Sequence, residues 1–289
     1  MILGRIEWAN LWAGVGPHWI WHRKDEPHLQ EQAAPWGLLK RKQTTCHPAF
    51  HDKLSTFWAV KSKIQVPGEV TTSGGPGTSF QFALSFVDQL FGESIDREIG
   101  QLLLMEAADK NPKTEEFNKI EWSIDHTPCA LIPITNGCEE IEVVSASQGT
   151  KVIADKLITN TSDTVPDLII LPGGTACSAA EVRVLKKLLK EQDSGGRIYG
   201  VIFTPLLHVL SNSCSIQDNR ATAHPLILNS LCLSNERIEG ARVVIHGRVI
   251  TGQGLVSSAD FGLVIVRKLF GHGRARSVAE RLVFEYPRS

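Results

Sequence analysis

No stretch of this chain stays apolar for the ~18–20 residues that a membrane-spanning helix needs, so a bilayer span is not expected. A charge excess of either sign is also missing: 30 basic and 31 acidic residues leave a formal net charge of −1. That excludes a general field for nucleic acid or for an anionic membrane. The six cysteines, Cys46, Cys129, Cys138, Cys177, Cys214 and Cys232, form no CxxC pair and no zinc spacing. In a chain of this size they read as reduced, mostly buried thiols rather than a disulfide framework. The glycine-rich SGGPGTS at 73–79 lacks the Lys-Ser/Thr of a phosphate-binding loop, and no buried parallel strand leads into it. Neither a nucleotide nor any other cofactor is expected, and no metal. The N-terminus carries Arg5 and Glu7 where the apolar core of a signal peptide would lie, and its acids argue against a transit peptide.

What is present is an ordinary globular composition, 42% apolar and 21% charged over 289 residues. That is room for one large or two ordinary domains. Four of the seven tryptophans (Trp8, Trp12, Trp19, Trp21) fall within residues 1–35, and the stretch 1–36 reads as a poorly ordered or loosely docked tail. The basic residues near the C-terminus, Arg267 to Arg288, are interrupted by Glu280 and Glu285 and read as a solvated helix face.

Residues 37–110 hold a Thr-Cys-His-Pro turn at Thr45–Pro48. Two short strands follow in KSKIQVPGEVTTS with a Pro-Gly turn between them. A Gly-rich loop then leads into an amphipathic helix in which Phe80, Phe82, Ala83, Phe86, Val87 and Leu90 keep helical spacing. The same order recurs later. Thr-Ala-His-Pro stands at Thr222–Pro225, 177 residues after the first turn. Gly247–Thr251, Phe261–Leu263 and Leu269–Gly271 echo Gly68–Thr72, Phe82–Leu84 and Leu90–Gly92 at a spacing of 179. A period this long predicts duplicated domains rather than a solenoid. The polar stretch 111–128 between them reads as a linker.

Residues 129–289 read as α/β. Strands are expected at Cys129–Thr135, Lys151–Ile158, Asp167–Leu171 and Arg197–Ile202, with a hairpin at Arg242–Thr251. Helices are expected from Cys138–Val144 onward, at Glu181–Gln192 and at Asp260–Phe270. Alternating strands and helices imply a parallel sheet with ligands at the carboxyl ends of its strands. The Arg197–Ile202 strand breaks at Phe203-Thr204-Pro205, the strand-to-helix turn on which α/β enzymes mount an exposed nucleophile. Phe203 can neither attack nor move a proton.

The motifs NGCEEIEVV (136–144), LIILPGGTA (168–176), GRIYGVI (196–202), ATAHP (221–225) and TTSGGPGTSFQFAL (71–84), in this order, resemble the DJ-1/PfpI family, specifically the plant homologues with two tandem domains. The resemblance implies a flavodoxin-like α/β sandwich related to class I glutamine amidotransferases. On it, 37–110 is the C-terminal part of a first domain and 129–289 a second one with an internal deletion near 144–145, where a helix–strand unit is missing. It implies cofactor-free glyoxalase chemistry on methylglyoxal or a deglycase activity, a role in oxidative or carbonyl stress, and a homodimer or pairing with a homologue. Small reactive carbonyls are the implied substrate, without nucleic acid or membrane partners. The implied location is intracellular and cytoplasmic, or a plastid if the native N-terminus lies further upstream.

The family site combines an elbow cysteine, a glutamate bonded to it, amides of a Gly-Gly loop for an oxyanion, and a histidine. By this resemblance Glu142 takes the glutamate position, Gly173 and Gly174 the oxyanion loop and His224 the histidine, while the cysteine position falls on Phe203. Plainer readings stand beside these: a solvated helix start for Glu142, a tight turn for Gly173-Gly174, a turn cap for His224. Thr204 offers a hydroxyl at the elbow but needs an adjacent base, and Cys214 lies too far along to replace the thiol without rearrangement. A loop position that often holds arginine in the family is Gly74 in the first segment and Gln253 in the second, and His47 is left without the rest of a site.

Overall fold

The computed structural model describes residues 18–20, 39, 41–53, 59–68, 70–105, 113–133, 143–145, 151–153, 166–172, 183, 197–202, 220–225, 238 and 240–286. In chain order the strands among them are β1 (His18–Ile20), β2 (Ile64–Gln65), β3 (Val70–Ser73), β4 (Lys113–Phe117), β5 (Ala130–Leu131), β6 (Val143–Ser145), β7 (Lys151–Ile153), β8 (Leu168–Leu171), β9 (Ile198–Ile202), β10 (Ala241–His246) and β11 (Val249–Gly252). The helices are α1 (Ser79–Phe91), α2 (Glu93–Leu102), α3 (Ser258–Phe270) and α4 (His272–Leu282). Two compact units emerge, one from 107–269 and one from 7–106 together with 270–289. Among the described residues no helix is long and apolar enough to cross a membrane.

The first unit is built on a six-stranded sheet of order β4-β10-β11-β9-β8-β5. Every neighbouring pair is parallel except the β10–β11 hairpin. The apolar runs LIIL, IYGVI and ARVVIH are almost wholly buried, as expected of central parallel strands. Helix α3 lays Phe261, Val264 and Ile265 onto Leu168, Ile198, Val243, Ile245 and Ile250, with Trp122 completing the cluster. Gly200 is required here by close approach: a Cβ on it would stand 2.7 Å from Phe261 Cζ. This sheet-and-helix plan is the flavodoxin-like α/β fold expected from the sequence.

In the second unit β3 pairs antiparallel with β2 and parallel with β1. Helices α1 and α2 follow, with Phe82 and Phe86 edge to face at 4.9 Å. The C-terminal turn after α4 sits in the space left by two glycines. A Cβ on Gly75 would meet Val283 Cγ2 at 2.8 Å, and one on Gly77 would meet the Val283 carbonyl oxygen at 2.7 Å.

Residues 45–104 and 222–283 make the same bonds, with the turn bonds two residues longer in span in the second set. Thr45 donates its N–H to Thr72 Oγ1 at 3.0 Å, and Thr222 does so to Thr251 Oγ1 at 2.9 Å. Their hydroxyls donate to Ser62 O and Ala241 O at 2.7 and 2.9 Å. The N–H of Gly74 meets Lys63 O at 3.0 Å, that of Gln253 meets Arg242 O at 2.9 Å. Helices α1 and α3 are both 13 residues long and stop at glycines with φ of 86° and 84°. Even the left-handed residues correspond, Leu104 at φ 59° and Val283 at φ 56°.

Five readings of the sequence change. A buried strand with a parallel partner, β3 beside β1, does lead into SGGPGTS, which still lacks the Lys-Ser/Thr of a phosphate-binding loop. The stretch 111–128, expected as a linker, supplies strand β4 and the buried Trp122. Its charges are accommodated because Glu116 pairs with Lys268 at 2.8 Å. Val143 and Val144, expected in a helix, lie in β6 paired with β7; two successive β-branched residues favour the extended chain, and 138–142 lie outside the described residues. Within the tryptophan-rich tail, His18–Ile20 pairs with β3. Residues 270–289, expected with 129–289, gather with the second unit, where Gly75 and Gly77 leave room for Val283. The helix expected at Glu181–Gln192 falls outside the described residues apart from Arg183, which is helical.

Candidate functional site

Strands β8, β9 and β11 run parallel and end at Leu171, Ile202 and Gly252, so one edge of the sheet gathers their carboxyl ends. This is where an open α/β sheet places ligands. The loop leaving β11 is tightly closed. Ser257 Oγ accepts the Gly254 N–H at 2.9 Å and donates to Gly254 O at 2.7 Å. Arg242 holds the loop from below, with Nη2 on Val256 O at 3.3 Å and Nη1 2.9 Å from Asp260 Oδ2. Both side chains are about nine-tenths buried, at 10% and 8% exposure. Asp260 Oδ2 receives no aligned hydrogen bond, so the contact is chiefly electrostatic. Burial pushes the Asp260 carboxyl up to about 6, and the Arg242 charge pulls back only part of that rise.

His224 reaches this edge through its turn. The two Thr222 bonds fasten the turn to β11 and to the start of β10, and Ala221 and Ala223 are buried on either side. His224 itself is buried. Just upstream, Arg220 donates its N–H to His246 Nδ1 at 2.9 Å, and its guanidinium lies 4.3 Å from the centre of the Phe117 ring. Burial first, then the Arg220 charge, hold His246 below the usual histidine range. Gln253, at the loop position where the resemblance implies arginine, is buried.

Of the residues singled out in sequence, His224 is therefore placed at the carboxyl edge. Glu142, Gly173, Gly174, Phe203, Thr204 and Cys214 lie outside the described residues, as do Cys138, Cys177 and Cys232. Cys46 is buried and its thiol is pushed up to about 11 by desolvation, which keeps it a packing group rather than a thiolate. His47, the counterpart of His224, is used structurally: Nδ1 accepts the Ala49 N–H at 3.2 Å and Nε2 meets Arg281 O at 3.1 Å. A ring that accepts at Nδ1 and faces a carbonyl at Nε2 is the neutral Nε2–H tautomer. No group of three or more His, Cys, Asp or Glu side chains able to hold a metal occurs among the described residues.

Sequence reasoning missed the Arg242–Asp260 pair, for which no motif exists. It also missed a cluster at the opposite, amino-terminal edge of the sheet. There His126 Nε2 lies 3.1 Å from both Asp167 carboxylate oxygens and Nδ1 3.1 Å from Asp125 Oδ1, while Cys129 donates its N–H to Asp167 Oδ2 at 2.8 Å. The hydrogen bonds to Asp125 and then Asp167 raise His126 above the usual histidine range. Beside it is a small cavity of about 110 Å3 lined by Trp122, Ile124, Ile198 and Arg248 among others. The Thr222–Thr251 bond had a signal, since threonines recur at 45 and 72.

Residues 128–268 match the model of the DJ-1/PfpI family. Protein DJ-1 homolog B of Arabidopsis thaliana is 32% identical over 276 residues, covering 85% of this chain and 62% of that protein. Protein DJ-1 homolog A of the same plant is 32% identical over 272 residues, with 83% and 68% covered. The glutathione-independent glyoxalase DJR-1.2 of Caenorhabditis elegans is 30% identical over 142 residues, 49% of this chain and 75% of that one. The chain thus spans about 62% of the length of homolog B. Identity at this level, spread over most of the chain and over 68% of homolog A, has one meaning: the chain belongs to the DJ-1/PfpI family.

Proposed function

We propose that this is a DJ-1/PfpI protein of the oxidative- and carbonyl-stress type that has lost its nucleophile. One observation carries the reading. Strand β9 lies between β11 and β8, running parallel to both, so its carboxyl end is where the nucleophile elbow belongs. The residue that follows Ile202 is Phe203. Glu142, Gly174 and His224 would then frame an empty position. Thr204 lacks an identified base, and Cys46 lies in the other unit and is held as a neutral thiol. An intracellular setting and a homodimer or a pairing with a homologue go with this reading.

We further propose that 37–110 is the trailing part of a first domain and 129–289 a second domain with a deletion near 144–145. The bonds shared by Thr45 and Thr222, and by Gly74 and Gln253, support the duplication. The antiparallel β6–β7 hairpin, which passes from Ser145 to Lys151 with no parallel crossover, supports the deletion.

The relative named as a glutathione-independent glyoxalase favours a second reading. In it the chain retains a cofactor-free glyoxalase activity, methylglyoxal to lactate, or a deglycase-type activity, with Glu142 and His224 active and Thr204 or Cys214 standing in for the thiol. The purified chain incubated with methylglyoxal decides between them. The first reading expects no lactate beyond a heat-denatured control. Saturable, protein-dependent consumption overturns it, and loss of that activity in Glu142→Ala establishes the second.

A further inference from the structure

The hairpin and helix of 64–91 correspond to those of 243–270 at a spacing of 179, and the second set shows what such a surface is built to carry. The hairpin register is the same: Ile64 faces Ser73 and Gln65 faces Thr72, as Val243 faces Gly252 and Val244 faces Thr251. In the second set one segment, Lys113–Ile124, covers three neighbouring features. Strand β4 pairs in parallel with the outer edge of β10, with Glu116 opposite Ile245. Ile120 and Asn118 close over the turn glycine Gly247, at 3.4 and 3.5 Å from where its Cβ would be. Trp122 joins the cluster against which Leu269 packs, and Lys268 ties the helix to Glu116 and to Ile120 O.

At the corresponding places in the first set the cover is missing among the described residues. Strand β2 is the edge of its sheet. Val66, the counterpart of the fully buried Ile245, is 43% exposed. Gly68, the counterpart of Gly247, has nothing within 4 Å of a Cβ position. Leu90, the counterpart of Leu269, is 56% exposed. An unpaired strand edge beside an apolar patch is a template for adding a strand.

We propose that the outer edge of β2, with Val66, Gly68 and Leu90, is a docking groove for a single extended segment donated by another DJ-1/PfpI chain. The segment is of the Lys113–Ile124 kind: a strand that adds in parallel to Ile64–Gln65, followed five residues on by an aromatic ring that lies over Leu90. The internal copy fixes this chemistry, since one segment meets all three features there. A source exists in the family, because more than a third of the length of homolog B lies outside the match to this chain. The inference rests on the duplication reading and is independent of whether the elbow is catalytic.

The test uses the full chain and a fluorescent peptide of residues 113–124, KTEEFNKIEWSI. Saturable micromolar binding is expected, with slowed amide exchange at Ile64 and Val66, whose N–H groups point away from β3, and at least a tenfold loss in Leu90→Lys. The exposed position of Leu90 makes that variant a surface change, and Val66→Lys gives a second one on the strand. A peptide with Ala in place of Trp122 should bind at least tenfold more weakly. Absence of binding at millimolar peptide overturns the proposal. So does binding that ignores both lysine variants, which would place the peptide in the first unit by exchange with β4. A chain that sediments as a dimer undisturbed by the peptide also overturns it, by assigning the face to a second copy. None of these outcomes alters the methylglyoxal result.

Discussion

Replacing Asp260 by Asn isolates the buried charge beneath the site loop. In the folded chain the Asp260 carboxyl titrates near 6, against an ordinary value of 3.8. The cause is desolvation that one unaligned contact with Arg242 does not offset. A carboxyl whose folded value is raised binds its proton more tightly when folded than when unfolded. Its contribution to stability is therefore greatest below pH 3.8 and falls as pH rises towards 6. Two pH units at about 1.4 kcal/mol each correspond to roughly 3 kcal/mol. Asparagine keeps the shape and removes the titration. The stability of Asp260→Asn relative to the parent should therefore rise by about 3 kcal/mol between pH 3.5 and pH 7, whatever constant cost the loss of the Arg242 partner adds.

The difference between the two proteins is the useful quantity, because the other titrating groups cancel in it. Urea midpoints read by pulsed hydrogen exchange over Val243–Ile245 and Ile250 report the first unit alone. A difference that stays flat with pH, or that falls, refutes the reasoning. It would mean that Arg242 stabilises the charged carboxylate fully and that burial costs it nothing.

Two further outcomes follow from geometry. Gly200→Ala forces a methyl to 2.7 Å from Phe261 Cζ in a packed core, so a loss of about 1–3 kcal/mol is expected; Phe261→Leu in the same chain should recover part of it, and additive losses in a double-mutant cycle would refute the contact. His126 should titrate above the usual histidine range by NMR, with its contribution to stability present at acid pH and lost as pH rises through the raised value. Asp125→Asn and Asp167→Asn should each bring it down, and a His126 titration indifferent to both would remove the pairing.

What was legible in the sequence was what depends on neighbours along the chain. The buried strands Leu168–Leu171 and Ile198–Ile202 announce themselves as unbroken apolar runs, and α1 and α3 as helical stripes of Phe, Val and Leu. What was not legible depends on partners far away. Lys113–Phe117, read as KTEEF, has no strand signature. It is a strand because the edge of β10 supplies its hydrogen bonds and Lys268, 152 residues on, neutralises Glu116. Val143-Val144 sits after a cluster of acids that suits a helix start, and only the pairing with Val152 and Ile153 makes it extended. The site divides the same way. His224 was visible because its turn occurs twice, whereas His126 and Asp167 are joined across 41 residues without a motif.

The doubled turn also limits what His224 can testify to. Thr45 and Thr222 make the same two bonds, one to a strand threonine and one to a carbonyl at the start of the hairpin. In the first set that turn delivers His47, and both nitrogens of His47 are spent on backbone, one on Ala49 and one on Arg281. Residues 37–110 carry no counterpart of the motifs LIILPGG and GRIYGVI that precede the second turn. A joint that is kept where there is no chemistry to serve is a joint the fold needs, since it ties the turn to the hairpin on which the helix packs. The joint that carries His224, made by the two Thr222 bonds, is therefore explained by folding alone. The weight of the proposed loss of the nucleophile falls instead on the residue after Ile202, which is Phe203.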